Sequence, residues 1–488
     1  MLALQFAILS GLFVGAAAAE DLPPHRLTAP GPLAPRSFEL PVAQTAQLSN
    51  GLDVLLVENH EVPMVYVNLV VRHGSATDPK GREGLASVTV AMMNEGAGDR
   101  SAEALSKASR KLGANLNTFA ATDYSGTVLQ VLTRNLDSGL DLMADVALRP
   151  TFPEPEWQIL QSKRIQNLAA AAADPNQVAQ RVFSRLMHGD AYEGRLTSED
   201  SYVAIRPDDM RAWHNAHFRP GDGILLVGGD TTLEGVLPLL EARFGSWSVD
   251  GDAPPPTDVR EPLPEHPPNT VYLHDVPGAA QSVVRVGTFV MDKKDPAADA
   301  FFLANRAFGG QFMSRLNLNL REDKGWTYGA RSSVSQSERA SLWTAGASVV
   351  TPSTAGALAE TFRELDGMTE GGTSTAGEAF GPLGTEELDT VRNGLLYTWP
   401  LSFENPGYLL QQRLMMWRYD LPEDELATYT ERMRAVGLEE ARSAWQAHLS
   451  RDALVVSVVG DAATVRTDLE ALGLNIVMVD ASGEPITE

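Results

Sequence analysis

Arg321 and Tyr328, seven positions apart, lie within the segment Gly309 to Tyr328, GGQFMSRLNLNLREDKGWTY. Guanidinium and phenol are both hydrogen-bond donors, and two donors converging on one carbonyl oxygen grip a peptide bond and stabilise the oxyanion formed when it is attacked. Their spacing spans a helix-to-strand junction. Ser314 is the expected N-cap, Phe312, Leu316 and Leu320 recur near the helical period, Gly325 supplies the left-handed residue that ends the helix, and a strand is expected from Trp326. Arg321 then occupies the last helical turn and Tyr328 enters the same cleft from the strand. The reading without chemistry is an arginine favoured by the helix dipole beside an ordinary strand aromatic.

These residues resemble the C-terminal-half signature of the pitrilysin/insulinase family of zinc peptidases, in which Gly-Gly, Ser-Arg-Leu and Leu-Arg-Glu precede a Gly and a Tyr. The resemblance implies a second site, in the N-terminal half, where a helix bearing H-x-x-E-H presents two imidazoles and a general base to zinc. The surroundings of that helix are present: Gly74-Ser75, Gly84-Leu85-Ala86 and Met92-Met93-Asn94-Glu95-Gly96. The motif itself reads Ser87-Val88-Thr89-Val90-Ala91, so Ser87 and Ala91 stand at the histidine positions and Val90 at that of the glutamate. The family's third ligand is a glutamate on a later helix, and Trp157 to Ala173 contains no carboxylate. With ligands and base all replaced, the chain is expected to hold no cofactor of its own. His214 and His217 are spaced i, i+3 but flanked by Trp213 and Phe218, which reads as packing. His60, His73, His188, His266, His274 and His448 lack ligand spacing. Leu112-Gly113, Asn117 and Asp123 match the family's substrate-binding edge strand, making Asn117 a candidate peptide ligand. A strand-end asparagine is the plainer reading.

The first nineteen residues carry no charged side chain and end in small residues before Glu20, as a cleaved secretory signal does. No basic residue precedes the apolar run, and that run is short for a bilayer span of ~20 residues. A periplasmic or secreted protein, free of the membrane after cleavage, is expected. Zero cysteines suit an oxidising compartment. With 39 Lys+Arg against 63 Asp+Glu, the formal charge of −24 repels phosphate backbones, which argues against a nucleic-acid partner.

Internal similarity divides the chain. Ala216-His217 and Ala447-His448 each precede a hydrophobic strand ending in Gly-Asp, at Gly229-Asp230 and Gly460-Asp461, with a constant offset of 231. The helix, glycine and strand around Gly113 correspond to those around Gly325. The expected organisation is a signal peptide 1–19, an extension 20–37, an N-terminal peptidase-like domain 38–247, a Pro-rich linker 248–268 and a C-terminal domain 269–488 carrying the Arg/Tyr pair. Val54 to Val57 and Val65 to Val71 read as a hairpin. The expected fold class is α+β: two homologous mixed α/β domains forming a clamshell, as the resemblance to insulinase and mitochondrial processing peptidase implies.

Family members of this pattern resemble one subunit of a two-protein peptidase. The resemblance implies a homologous partner with H-x-x-E-H and its zinc, peptide substrates, and Arg321 and Tyr328 acting on the substrate carbonyl. The alternative is a catalytically inactive peptide-binding or assembly scaffold.

Overall fold

The computed structural model describes residues 40–249, 251, 263–336, 341–373 and 379–486. The expected signal segment 1–19, the expected extension 20–37 and most of the expected linker 248–268 lie outside the described residues. Among the described residues, two six-stranded sheets dominate. The first runs Ala43–Gln47, Asp53–Glu58, Gly223–Gly229, Met64–Val71, Ser125–Leu132, Asn115–Ala120 from edge to edge. The second runs Asn475–Met478, Thr270–Asp275, Val455–Gly460, Gln281–Val290, Ser341–Val350, Thr327–Ser335. The order is the same but for the first edge, which is antiparallel to its neighbour in one sheet and parallel in the other. This is the two-halved α+β architecture expected from the sequence.

The expected hairpin does not form. Gly223–Gly229 inserts between Asp53–Glu58 and Met64–Val71, parallel to the first and antiparallel to the second. Every residue of the inserted strand is buried, and such a run is satisfied only with neighbours on both sides. Glycine is required at its end: a Cβ on Gly229 would lie 2.1 Å from the Met64 carbonyl oxygen.

Because strand side chains alternate, each sheet presents two apolar faces. One face of the first sheet packs on helices of its own half through residues such as Val88, Val90, Leu140, Met143, Met210 and Leu240. Its other face, with Val70, Ile224 and Leu226, is covered by Leu410 and Leu414 of the helix Pro406–Arg418, which belongs to the second half. The second sheet reciprocates: Tyr272, Val283, Val455 and Val459 pack under Val178, Val182, Phe183 and Leu186 of the helix Pro175–His188. The two exchanged helices occupy equivalent positions, again offset by 231. Each is started by an Asx-Pro pair whose Asx side chain accepts a backbone N–H two residues on, Asp174 from Asn176 and Asn405 from Gly407.

This exchange makes each half part of the other's core. Phe183→Ala is expected to lower the unfolding free energy by about 3–5 kcal/mol and Leu410→Ala by about 2–5 kcal/mol. In denaturant titrations followed by tryptophan fluorescence and circular dichroism, both probes should report one shared transition. Two separated transitions, with each substitution moving only one, would contradict the reciprocal core.

Candidate functional site

The helix Ala298–Phe308 ends at Gly309, where a side chain has no room: its Cβ would lie 2.5 Å from Ser332 Oγ. Ser332 N–H donates to the Gly309 carbonyl at 2.9 Å, fastening the loop to the edge of the second sheet. After a turn through Met313, a helix starts at Arg315 and continues as a π-helix over Leu318–Asp323. Such wide turns are rare and favour functional sites. Gly325, at φ +64°, stops it, and the strand Thr327–Ser335 follows.

Three local expectations need correction. Phe312 lies in the turn, half exposed, because Gly309 and Gly310 break the chain just before it. Ser314 occupies the N-cap position but its hydroxyl makes no capping bond. The strand begins at Thr327, since the Trp326 N–H is still bonded to the Leu320 carbonyl of the helix.

Arg321 and Tyr328 flank the junction as expected. The register against Ser341–Val350 slips between Thr327 and Ala330, so Tyr328 sits in a bulge, 94% exposed. Bulges re-aim side chains out of the pleat. The Arg321 guanidinium stands 4.6 Å from the centre of the Phe312 ring, with Arg331 at 5.7 Å from the same ring. Glu322 approaches Arg321 at 3.2 Å. The arginine is thus steadied on an aromatic face. Arg321 and Tyr328 are brought onto adjoining elements without a hydrogen bond between them.

The first half repeats this unit in the helix Ala102–Leu112, Gly113 at φ +61° and the strand Asn115–Ala120. Its edge is treated differently. In the second half Gly309 and Asn317 bond the outward N–H groups of Ser332 and Ala330. In the first half, among the described residues, no such bond reaches the backbone of 115–120 beyond its neighbouring strand. Asn117 is exposed on this open edge, its amide donating to Asn115 at 2.7 Å. An open edge is a template for an added strand.

The helix Leu85–Met92 occupies the place of the zinc helix. Val90 is fully buried in the core, Ser87 is partly exposed beside a cavity of about 230 Å³ lined also by Asp78, Glu83 and Arg195, and Ala91 is partly exposed. These side chains do not fit zinc. Among the described residues, no group of three or more His, Asp or Glu is placed to hold a metal. The later helix Glu154–Ala172 has Glu154 and Glu156 in its first turn and no carboxylate beyond. His214 stacks on Phe218 at 4.7 Å and bonds the Ala147 carbonyl at 2.9 Å. His217 packs against Trp213 and His73, and burial holds its pKa down at about 4. Both are packing residues, as read from the sequence.

Sequence reasoning missed Asp78, and it named Asp123 only as part of the edge-strand pattern, whereas the structure buries Asp123. Asp78 accepts from the N–H groups of Gly84 and Ala86, each at 2.7 Å, and so caps the helix Leu85–Met92 from outside it. Asp123 is buried between Tyr192 Oη at 3.1 Å and Arg418 at 3.5 Å, with Arg418 stacked 3.8 Å from the Tyr124 ring. It joins the first half's outer hairpin to the end of the exchanged helix. Neither bond has a signal in local sequence.

The family model Insulinase (Peptidase family M16) matches residues 53–199, and Peptidase M16 inactive domain matches residues 204–377. Together they cover most of the chain, which belongs to the insulinase, or M16, peptidase family. The chain is similar to the uncharacterized zinc protease YmxG of Bacillus subtilis, 23% identical over 60% of this chain and 71% of that protein. It is 23% identical to an uncharacterized zinc protease of Mycobacterium leprae over 59% of this chain and 64% of the relative. Among solved structures, a peptidase M16 inactive domain from Pseudomonas fluorescens matches with TM-score 0.75 and 22% identity, over 86% of this chain and 98% of that one. A protease from Helicobacter pylori matches with TM-score 0.77 and 18% identity, over 86% and 100%. The periplasmic protease PqqL of Escherichia coli matches with TM-score 0.70 and 17% identity, over 87% of this chain and 46% of that one. These likenesses establish the clamshell fold. No helix of the described residues is long and apolar enough to cross a membrane.

Burial pushes the Asp78 carboxyl up to about 7, outweighing its two backbone hydrogen bonds. A carboxyl with a folded pKa above its unfolded 3.8 binds its proton more tightly when folded, so its stabilisation is complete below that value and lost as pH rises through about 7. Asp78→Asn should therefore remove one component of the decline in Tm across this window. Parallel Tm–pH curves for variant and wild type would contradict the assignment.

Proposed function

We propose that this chain is the non-zinc-binding subunit of a heteromeric insulinase-type metallopeptidase, binding and orienting a peptide for a homologous partner that bears H-x-x-E-H and zinc. The partner's metal supplies the activated water. Arg321 and Tyr328 hold the scissile carbonyl and stabilise the tetrahedral oxyanion, and Asn117 helps to seat the peptide backbone along the open edge Asn115–Ala120. The signal-like first nineteen residues, the lack of cysteine and the fold shared with the periplasmic protease PqqL support an exported, periplasmic setting.

One observation carries the reading. In a chain whose catalytic-base position, Val90, is sunk in the core, Tyr328 is 94% exposed on a bulge beside a ring-supported Arg321. A tyrosine so exposed adds nothing to a core, but its hydroxyl is available to a ligand. The duplicated halves keep the donors in one and lack the ligands in the other, as a divided site requires.

A tagged full-length chain purified from its native host is expected to retain a homologue with H-x-x-E-H. The pair, but neither chain alone, should cleave quenched-fluorescent peptides in a chelator-sensitive way. Arg321→Ala and Tyr328→Phe should each lower kcat by ~10² to 10³. Chelator-sensitive cleavage by this chain alone, or full turnover by both variants, would refute the proposal. A stable pair that cleaves no peptide would favour the scaffold reading.

A further inference from the structure

We propose that Asn317 is the positioning residue of the Arg321 and Tyr328 pair, acting through Phe312 beneath the arginine and through the bulge that carries the tyrosine. The inference rests on the peptide-orienting role proposed above and names the group that fixes its geometry. Asn317 is fully buried, and both ends of its amide are engaged. Its Nδ2 donates to the Phe312 carbonyl at 2.8 Å, and its Oδ1 accepts from the Ala330 N–H at 3.0 Å. The chemistry fixes the amide's orientation, because a backbone carbonyl needs a donor and a backbone N–H an acceptor.

The first bond pins the turn between Gly309 and Ser314, whose Phe312 ring supports the Arg321 guanidinium. The second falls on the residue at which the register slip ends, so it fixes where Tyr328 leaves the sheet. Other ties between turn and strand, Ser332 N–H to the Gly309 carbonyl and Arg331 to the Gln311 carbonyl, lie further along the strand. Asn317 also stands directly before the π-helix Leu318–Asp323 that holds Arg321. A single planar amide therefore sets the spacing of three elements: the ring under the arginine, the helix bearing it and the bulge bearing the tyrosine. No other residue type of this size supplies donor and acceptor together in that plane. Leucine would fill the space and leave both backbone groups unsatisfied, while aspartate keeps the acceptor and loses the donor.

Asn317→Ala, Asn317→Asp and Phe312→Leu would be compared with Arg321→Ala in the complex purified with the zinc-bearing partner, using one quenched-fluorescent peptide. A misplacement of ~1 Å costs about 10²-fold, so Asn317→Ala should lower kcat by that order with KM at its wild-type value. Adding Asn317→Ala to a variant that already carries Arg321→Ala and Tyr328→Phe should cost nothing further, because neither donor remains to be positioned. Wild-type kcat in Asn317→Ala, or a further loss when Asn317→Ala is added to the variant lacking both donors, would overturn the inference. Should the Asn317 variants fail to fold, Phe312→Leu decides, since its ring is half exposed. A wild-type kcat there overturns the inference equally. An Arg321→Ala variant with full kcat would instead overturn the peptide-orienting role, and this inference with it. A defective Arg321→Ala beside an unaffected Asn317→Ala would overturn this inference alone.

Discussion

Each half of this molecule owns helices for only one face of its sheet, and the other face is closed by the equivalent helix of the other half. Strands such as Gly223–Gly229 are buried throughout, so separating the halves would return two apolar faces to water at about 25 cal/mol per Å². The exchange therefore holds the halves together independently of the Pro-rich stretch between them. It also aligns them. The C-terminal end of the exchanged helix Pro406–Arg418 meets the first half through Arg418 with Asp123 and through Arg72, which bonds the Trp417 carbonyl and pairs with Asp420 at 3.0 Å. Arg418 and Asp123 are both buried, so their pairing is screened far less than a surface ion pair.

Within that shared frame the two copies differ at the places where chemistry would occur. The helix Leu85–Met92 keeps its fold without its ligands because the two requirements lie on different residues. Asp78 caps it, and Leu85, Val88 and Val90 bury it, while positions 87 and 91 face partly outward. Serine and alanine there cost the core nothing. The edge strands diverge as well. The second half seals its edge with Gly309 and Asn317 and lets Tyr328 project, whereas the first half leaves Asn115–Ala120 open among the described residues.

Elements with local signals were legible in the sequence. Gly113 and Gly325 both stop helices at positive φ, and the offset of 231 marks equivalent strands. Pairing across distance was not. The strand that splits the expected hairpin comes from more than 150 residues further along the chain. Of the exchanged helices, Pro175–His188 carries an amphipathic pattern and Pro406–Arg418 only a weak one, and neither pattern says which of two similar sheets the helix will cover. Phe312 read as part of a helical period because Gly-Gly interrupts the chain by packing against Ser332 and Asn305, contacts that exist only after folding. Asn317 was not singled out, because both partners of its amide are backbone groups brought to it by folding. Arg321 and Tyr328 were legible as a pair because spacing across a glycine-stopped helix is itself a local signal.

The two arginines of this helical segment show why Arg321 suits the role proposed for it. Arg315 is spent: its guanidinium forks onto the Glu387 carboxylate at 2.8 and 2.5 Å and donates to the carbonyls of Gly367 and Gly381. Such a bidentate pair neutralises the charge and occupies the donors. Arg321 rests instead on the face of Phe312, which attracts the cation without taking its N–H groups. Glu322 lies 3.2 Å away, but the Arg321 nitrogen nearest it makes no well-directed hydrogen bond. A carboxylate under Arg321 in place of the ring would compete with any carbonyl oxygen for those donors. An aromatic support gives orientation without competition, which is the condition that a preorganised oxyanion donor has to meet.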